Sequence, residues 1–266
     1  AKGDTVEGTD GTTNGTTTFS SAAVNCVTAD VGKQIDIAAA GAGSPAAPLM
    51  TTVASCSGND FILSAAATQT IGGTARWEIG TDDSTSIQAM FDSAETSGNI
   101  VYFPFGATGR YLITEDVAVA SAKSVVLQCA PGVVLVRSPY CDTDGASNRC
   151  SASGSGTFIS LSSINGNDNE DNNNWTVMRG CGLDGNSDFE PTNSAARMSL
   201  IKAFGNHVLI ENNWGENSPG HFITDKHADG NANRLVRSVR YYNNEFHGAW
   251  EGVIQSKFDD YGTTAD

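Results

Sequence analysis

The sequence predicts an all-β fold: a parallel β-helix (solenoid) with an N-terminal capping helix and a small N-terminal β domain. Three observations predict it. Charged residues make up only 17% of the chain while 29 of its 266 residues are Gly, a composition of short strands joined by tight turns. One amphipathic helical pattern stands alone. Beyond it, strand-like segments recur every 31 residues, at Val177, Val208 and Val239, a period within the solenoid range.

Residues 1–79 read as a small β module. Its strand candidates are "TTTFSSAAV", "KQIDIAAA", "LMTTVAS", "DFILSAA" and "ARWEIG". Each is short, rich in β-formers or Ala, and bounded by Gly, Asn, Asp or Pro. Residues 80–123 hold the helix and the lead-in strands. Asp82, Asp83 or Ser84 can cap the helix. Ile87, Met90, Phe91 and Ala94 form one apolar face, and Gly98 can end the helix with a positive φ. "IVYFP" and "RYLI" then read as strands. The first rung of a stack of coils leaves an apolar core and backbone groups uncovered. The helix is expected to lie over that rung as a lid.

Residues 124–266 read as coils. "SVVLQCA", "TVMRGCG", "HVLIENN" and "SVRYYNN" align, with Val125 level with Val177 if a long loop is inserted between them. Long 3.6-period runs are absent, so the repeats are not helical. Cys129 and Cys181 hold the same place in their repeats. Adjacent parallel strands lie about 4.8 Å apart, within reach of a disulfide. Asn212 and Asn243 take that place in the next two repeats, where stacked side chains can form a ladder.

Six cysteines are even in number. Cys26 and Cys56 can pair within the first module, and Cys141 and Cys150 can close the loop "CDTDGASNRC". Disulfides imply an oxidising, extracellular setting. The net charge of −15 argues against nucleic acid or an anionic membrane as the partner. No run of about 20 apolar residues occurs, so no membrane span is expected. The chain begins at Ala1 without a visible signal peptide, as expected of a processed product or fragment.

"GTDDSTSIQAMFDSAETSGNIVYFPFGATGRYLI" resembles the segment that opens the coils of the pectate lyase superfamily. Its D-D pair, I-Q-A helix, Gly and V-Y-F-P strand carry the likeness. The segment before it is similar to β modules that precede such coils in bacteriophage tailspikes. The resemblance implies a right-handed parallel β-helix and an activity on polysaccharide: hydrolase, lyase, epimerase or tailspike. The N-T-D and R-I-K motifs of the polygalacturonase-type hydrolases do not occur. About four coils fit in 124–266, and "DDYGTTAD" has no capping element. The chain is therefore expected to continue, or another subunit to cover this end in a homotrimer or other homo-oligomer.

Sites on such proteins lie on the outer faces of stacked strands. The 31-residue register places Glu216 beside His247, His221 beside Gly252, Asp225 beside Ser256, Lys226 beside Lys257, Glu251 beside Gly220 and Asp184 near Gly215. Hydrolysis needs two carboxylates, and candidate pairs are Asp184 with Glu216, and Glu245 or Glu251 with Asp225. Elimination on a uronic acid needs a base and a cation, and His221, His247, Lys226 and Arg240 are candidates. Trp250, Tyr242, Trp214 and Tyr241 can stack on sugar rings, with Trp250 preferred. No cofactor is required. Asp168, Glu170 and Asp171 in "NDNEDNNN" can bind Ca2+. The expectation is an extracellular polysaccharide-binding and cleaving protein. The alternatives are a non-catalytic adhesin and a structural solenoid.

Overall fold

The computed structural model describes residues 1–42, 46–120, 123–138, 157–163, 174–187, 199–205, 207–226, 239–249 and 252–257. The chain is mostly β. Strands β1 (Val6–Asn14), β2 (Thr18–Ser20), β3 (Gln34–Ile37), β4 (Leu49–Ser57), β5 (Asp60–Leu63) and β6 (Thr70–Gly80) close into an antiparallel barrel in the order β1-β2-β5-β4-β3-β6. Phe19, Ile35, Ile37, Val53, Phe61, Trp77 and Ile79 fill its core. A disulfide joins Cys26 to Cys56 in the same module.

The polar stretch "VEGTDGTTN" forms β1, a strand that its composition does not announce. A Cβ at Gly8 would stand 2.7 Å from Trp77 Cζ2. The indole packs on bare backbone there, so this strand contributes to the core without apolar side chains.

Helix α1 (Ser84–Ser97) follows and stops at Gly98, whose φ is +72°. Asp82 Oδ1 accepts from the Ser84 amide at 3.0 Å, and Asp82 Oδ2 accepts from Thr114 Oγ1 at 2.6 Å. Ile87, Phe91 and Ala94 share one buried cluster with Val101, Phe103 and Val119, and α1 packs on β7 (Ile100–Phe103) and β9 (Val117–Ala120).

Five coils follow. The first is β7, β8 (Arg110–Ile113) and β9, and the second β10 (Val125–Cys129), β11 (Val134–Arg137) and β12 (Thr157–Ser163). The third is β13 (Thr176–Arg179), β14 (Gly182–Asp184) and β15 (Ser199–Gly205). The fourth is β16 (Val208–Glu211), β17 (Trp214–Ser218) and β18 (His221–Lys226), and the fifth β19 (Val239–Tyr242), β20 (Glu245–Ala249) and β21 (Gly252–Lys257). Equivalent strands pair in parallel, so the coils stack into three five-stranded sheets. The first strand of each coil builds the first sheet, the second strand the second, and the third strand the third.

The register differs from the sequence alignment by one residue at the third coil. Thr176, not Val177, pairs with both Val125 and Val208. Met178 is fully buried, and the pleat turns Thr176 inward with it, so Val177 is left half-buried on the other face. Aligning Val with Val hid this alternation. The Cys129–Cys181 disulfide forms across the corner with Cα atoms 5.0 Å apart. Cys141 and Cys150 lie outside the described residues.

Two Asn ladders continue that corner. Asn243 Nδ2 donates to Asn212 Oδ1 at 2.8 Å. It is Asn213, not Asn212, that stands level with Cys181: its Oδ1 accepts from the Cys181 amide at 3.0 Å. Asn213 Nδ2 donates to Asn244 Oδ1 and to the Met178 carbonyl, both at 3.1 Å.

Candidate functional site

The three sheets separate the candidate residues. Arg240 and Tyr242 stand on β19 of the first sheet, where the Arg240 guanidinium lies 5.0 Å from the Trp175 ring centroid and Tyr242 is exposed. Asp184, Glu216 and His247 belong to β14, β17 and β20 of the second sheet. His221, Asp225 and Lys226 lie on β18 of the third. There His221 pairs with Gly252, Asp225 with Ser256 and Lys226 with Lys257. The pair Glu245 with Asp225 is thus split between two sheets. Trp250, Glu251, Asp168, Glu170 and Asp171 lie outside the described residues.

The second sheet does bring candidates together. Asp184 pairs with Glu216, where the sequence register placed Gly215, and Glu216 pairs with His247. Leu183 and Phe246 pack in or on the solenoid core. Side chains alternate along a strand, so Gly182, Asp184, Trp214, Glu216, Glu245 and His247 face outward.

The barrel docks on the start of this outer face. Leu112, Val134 and Val136 form a separate buried cluster on it. At the junction Ser138 Oγ donates to Asp36 Oδ2 at 2.6 Å, and Asn186 Nδ2 donates to Glu78 Oε2 at 2.8 Å. Arg110 Nη2 bonds Asp184 Oδ2 at 2.9 Å and Glu7 Oε2 at 3.0 Å. Asp184 is 1% exposed, and its Oδ1 also accepts from the Asn186 amide and Asn217 Nδ2. It is therefore a junction residue, closed to a ligand in solvent.

Past the barrel the face is open. Trp214 is 37% exposed. Its indole packs closely against Gly182, where a Cβ would stand 2.5 Å from Cζ2. Glu216, two residues along the strand, is half-buried. Burial pushes its carboxyl above the ordinary Glu value, the Asp184 charge adds to this, and Arg110 opposes it. On the next coil Glu245 pairs with Trp214 in register, and His247 Nε2 lies 2.8 Å from Glu245 Oε1. The strip therefore combines an aromatic platform, a carboxyl biased toward its protonated form, and an exposed carboxylate. Among the described residues, no three His, Cys, Asp or Glu side chains gather in a metal-ligating arrangement.

Sequence reasoning ranked Trp250 above Trp214. The signal it passed over was Gly182, one register step below Trp214 and without a side chain. It also did not foresee Arg110 and Glu7, because a barrel docked on the coils is invisible in a one-dimensional register.

No protein-family model and no curated relative matches the sequence. Among solved structures the chain is similar to the tailspike protein gp49 from Pseudomonas phage LKA1, at 10% identity with a TM-score of 0.22. That match covers 82% of this chain, which spans about 40% of the length of the tailspike.

Proposed function

We propose that this chain is an extracellular polysaccharide-binding protein with a right-handed β-helix, capped at its first rung by α1. Its glycan lies along the open outer face of the second sheet, beside the barrel, and is cleaved there by hydrolysis. The observation that carries the reading is the Trp214 indole packed against Gly182 next to Glu216. A partly exposed aromatic ring offers an apolar surface to a sugar ring, and a carboxyl whose proton affinity is raised is suited to deliver a proton to a leaving oxygen.

Glu216 and Glu245 are diagonal neighbours on β17 and β20. Strand spacing and rise put diagonal Cα positions about 8 Å apart, a separation that suits the inverting class of glycosidases. In that reaction Glu216 protonates the glycosidic oxygen. Glu245 takes a proton from water, whose oxygen bonds to the anomeric carbon as the C–O bond breaks. Two disulfides fit an oxidising compartment.

Affinity electrophoresis on a glycan panel and a reducing-end assay test this. Binding that disappears in Trp214→Ala, with new reducing ends that disappear in Glu216→Gln, is the expected result. Binding without new reducing ends would leave a non-catalytic spike. Binding indifferent to Trp214 would put the site elsewhere.

A further inference from the structure

We infer that the glycan held on this face is uncharged where it crosses Trp214 and Glu216, and is not a uronate. The inference rests on the proposed site and concerns which sugars it accepts.

Among the described residues, acidic groups outnumber basic ones on and beside the strip. Glu216 and Glu245 both point outward from it, on β17 and β20. Glu7 and Asp184 lie at its barrel end. Two guanidinium groups stand near, and both are committed. Arg110 Nη2 is shared between Glu7 Oε2 and Asp184 Oδ2 at 3.0 and 2.9 Å. Arg76 Nη2 lies 3.7 Å from Glu7 Oε2 and donates to Asn186 Oδ1 at 3.4 Å. His247, on the exposed part of the strip, lies 2.8 Å from Glu245 Oε1. A sugar carboxylate entering here would meet the carboxylates of Glu245 and Glu7 and would have to break an existing ion pair to reach Arg110, Arg76 or His247. That is a costly exchange for a partly buried pair.

The same arrangement separates two chemistries. Elimination from a uronic acid needs a cation to neutralise the sugar carboxylate as the adjacent carbon loses its proton. Among the described residues on and beside this strip, Arg110, Arg76 and His247 are each already held by an acidic partner. Hydrolysis of a neutral glycoside needs only the acid and the base already present.

The test compares short oligosaccharides, which limits the effect of the overall charge of −15. Neutral gluco-, manno- and galacto-oligosaccharides and oligogalacturonates are titrated calorimetrically against the whole chain. The same titrations are run on Trp214→Ala, Gly182→Ala, Glu245→Lys and Glu115→Lys. Glu245 is exposed on the strip, and Glu115, also exposed, makes the same charge change on the first coil. The expected result is a neutral ligand that binds at least ten-fold tighter than any uronate and is lost in Trp214→Ala or Gly182→Ala. Glu245→Lys then narrows the gap and Glu115→Lys does not. Uronates that bind as tightly as neutral sugars, with the same dependence on Trp214 and Gly182, would overturn the charge inference and leave the site. So would equal narrowing by both lysine variants, which would trace the preference to bulk charge. If no oligosaccharide binds, or if binding ignores both Trp214→Ala and Gly182→Ala, the site itself fails and the inference with it.

Discussion

Asn186 of the third coil donates its side-chain amide to Glu78 of the barrel at 2.8 Å, in a junction where both residues are fully buried. Asn186 Nδ2 also donates to the Arg137 carbonyl at 2.6 Å, so one amide ties β6 to β11. Glu78 sits beside Asp36 and near Asp184, with Asn186 as its hydrogen-bond donor. Burial, then the Asp36 charge, push its carboxyl well above the ordinary Glu value. The folded state therefore binds a proton that the unfolded chain has released at the same pH. Stability from this group is complete below the ordinary Glu value and is lost as pH rises toward the raised one. Glu78→Gln removes the titration and can still accept from Asn186. Thermal melts from pH 4 to 9 should show the parent losing Tm above about pH 4.5 relative to the variant, with the two close at pH 4. Parallel curves would mean that Glu78 is not the group responsible.

Asn213 is 2% exposed and satisfies the Cys181 amide, the Met178 carbonyl and Asn244 at once. Asn213→Ala strands a buried donor and a buried acceptor. At roughly 1–3 kcal/mol for each unsatisfied group, the loss should be about 2–6 kcal/mol in urea unfolding. Asn212→Gly, on the exposed ladder where the φ of +55° suits glycine, should cost under about 1 kcal/mol. Similar losses for the two would contradict the assignment of Asn213 as the buried rung.

The Cys129–Cys181 disulfide spans a sequence separation of 52 residues. Closure of a loop of that length is worth about 4 kcal/mol in the chain-entropy view, within a usual range of about 2–4. The double Ser variant should unfold at lower urea than the parent by an amount in that range. Reducing agent should bring the parent toward the variant. A variant as stable as the parent would show that the corner is held by its Asn ladder instead.

Gly182 does not have a positive φ, so Ala is tolerated by the backbone there. Its Cβ would nonetheless stand 2.5 Å from the Trp214 ring. Gly182→Ala is therefore expected to lift the indole off the sheet and weaken glycan retention at least ten-fold, with the circular dichroism spectrum unchanged. Retention equal to the parent would remove Trp214 from the site.

Legibility varied with how local the signal was. The helix Ser84–Ser97 and its stop at Gly98 follow from an i, i+3, i+4, i+7 pattern with a glycine behind it. The coil strands follow from their repeat, although the alignment slipped by one residue at Thr176. A slip of one reverses inward and outward faces, and it moved Asp184 from beside Gly215 to beside Glu216. Strand β1 was missed because its part in the core is played by the bare backbone of Gly8 under Trp77. The candidate residues are scattered over three sheets in space. A register along the chain says which residues stack and not which of three sheets carries them.

The sequence by itself determined the recurring strands, the helix Ser84–Ser97 before most of them and the cysteines that pair across a corner. Alternation, period and capping are properties of short segments and survive without any knowledge of the whole. Only the tertiary structure decided which face is available. The barrel covers the start of the second sheet and buries Asp184 against Arg110. It leaves Trp214, Glu216, Glu245 and His247 open one and two coils further on. Docking of one module on another depends on surfaces assembled from distant residues such as Asp36, Glu78, Ser138 and Asn186. No short stretch of the chain encodes such a surface.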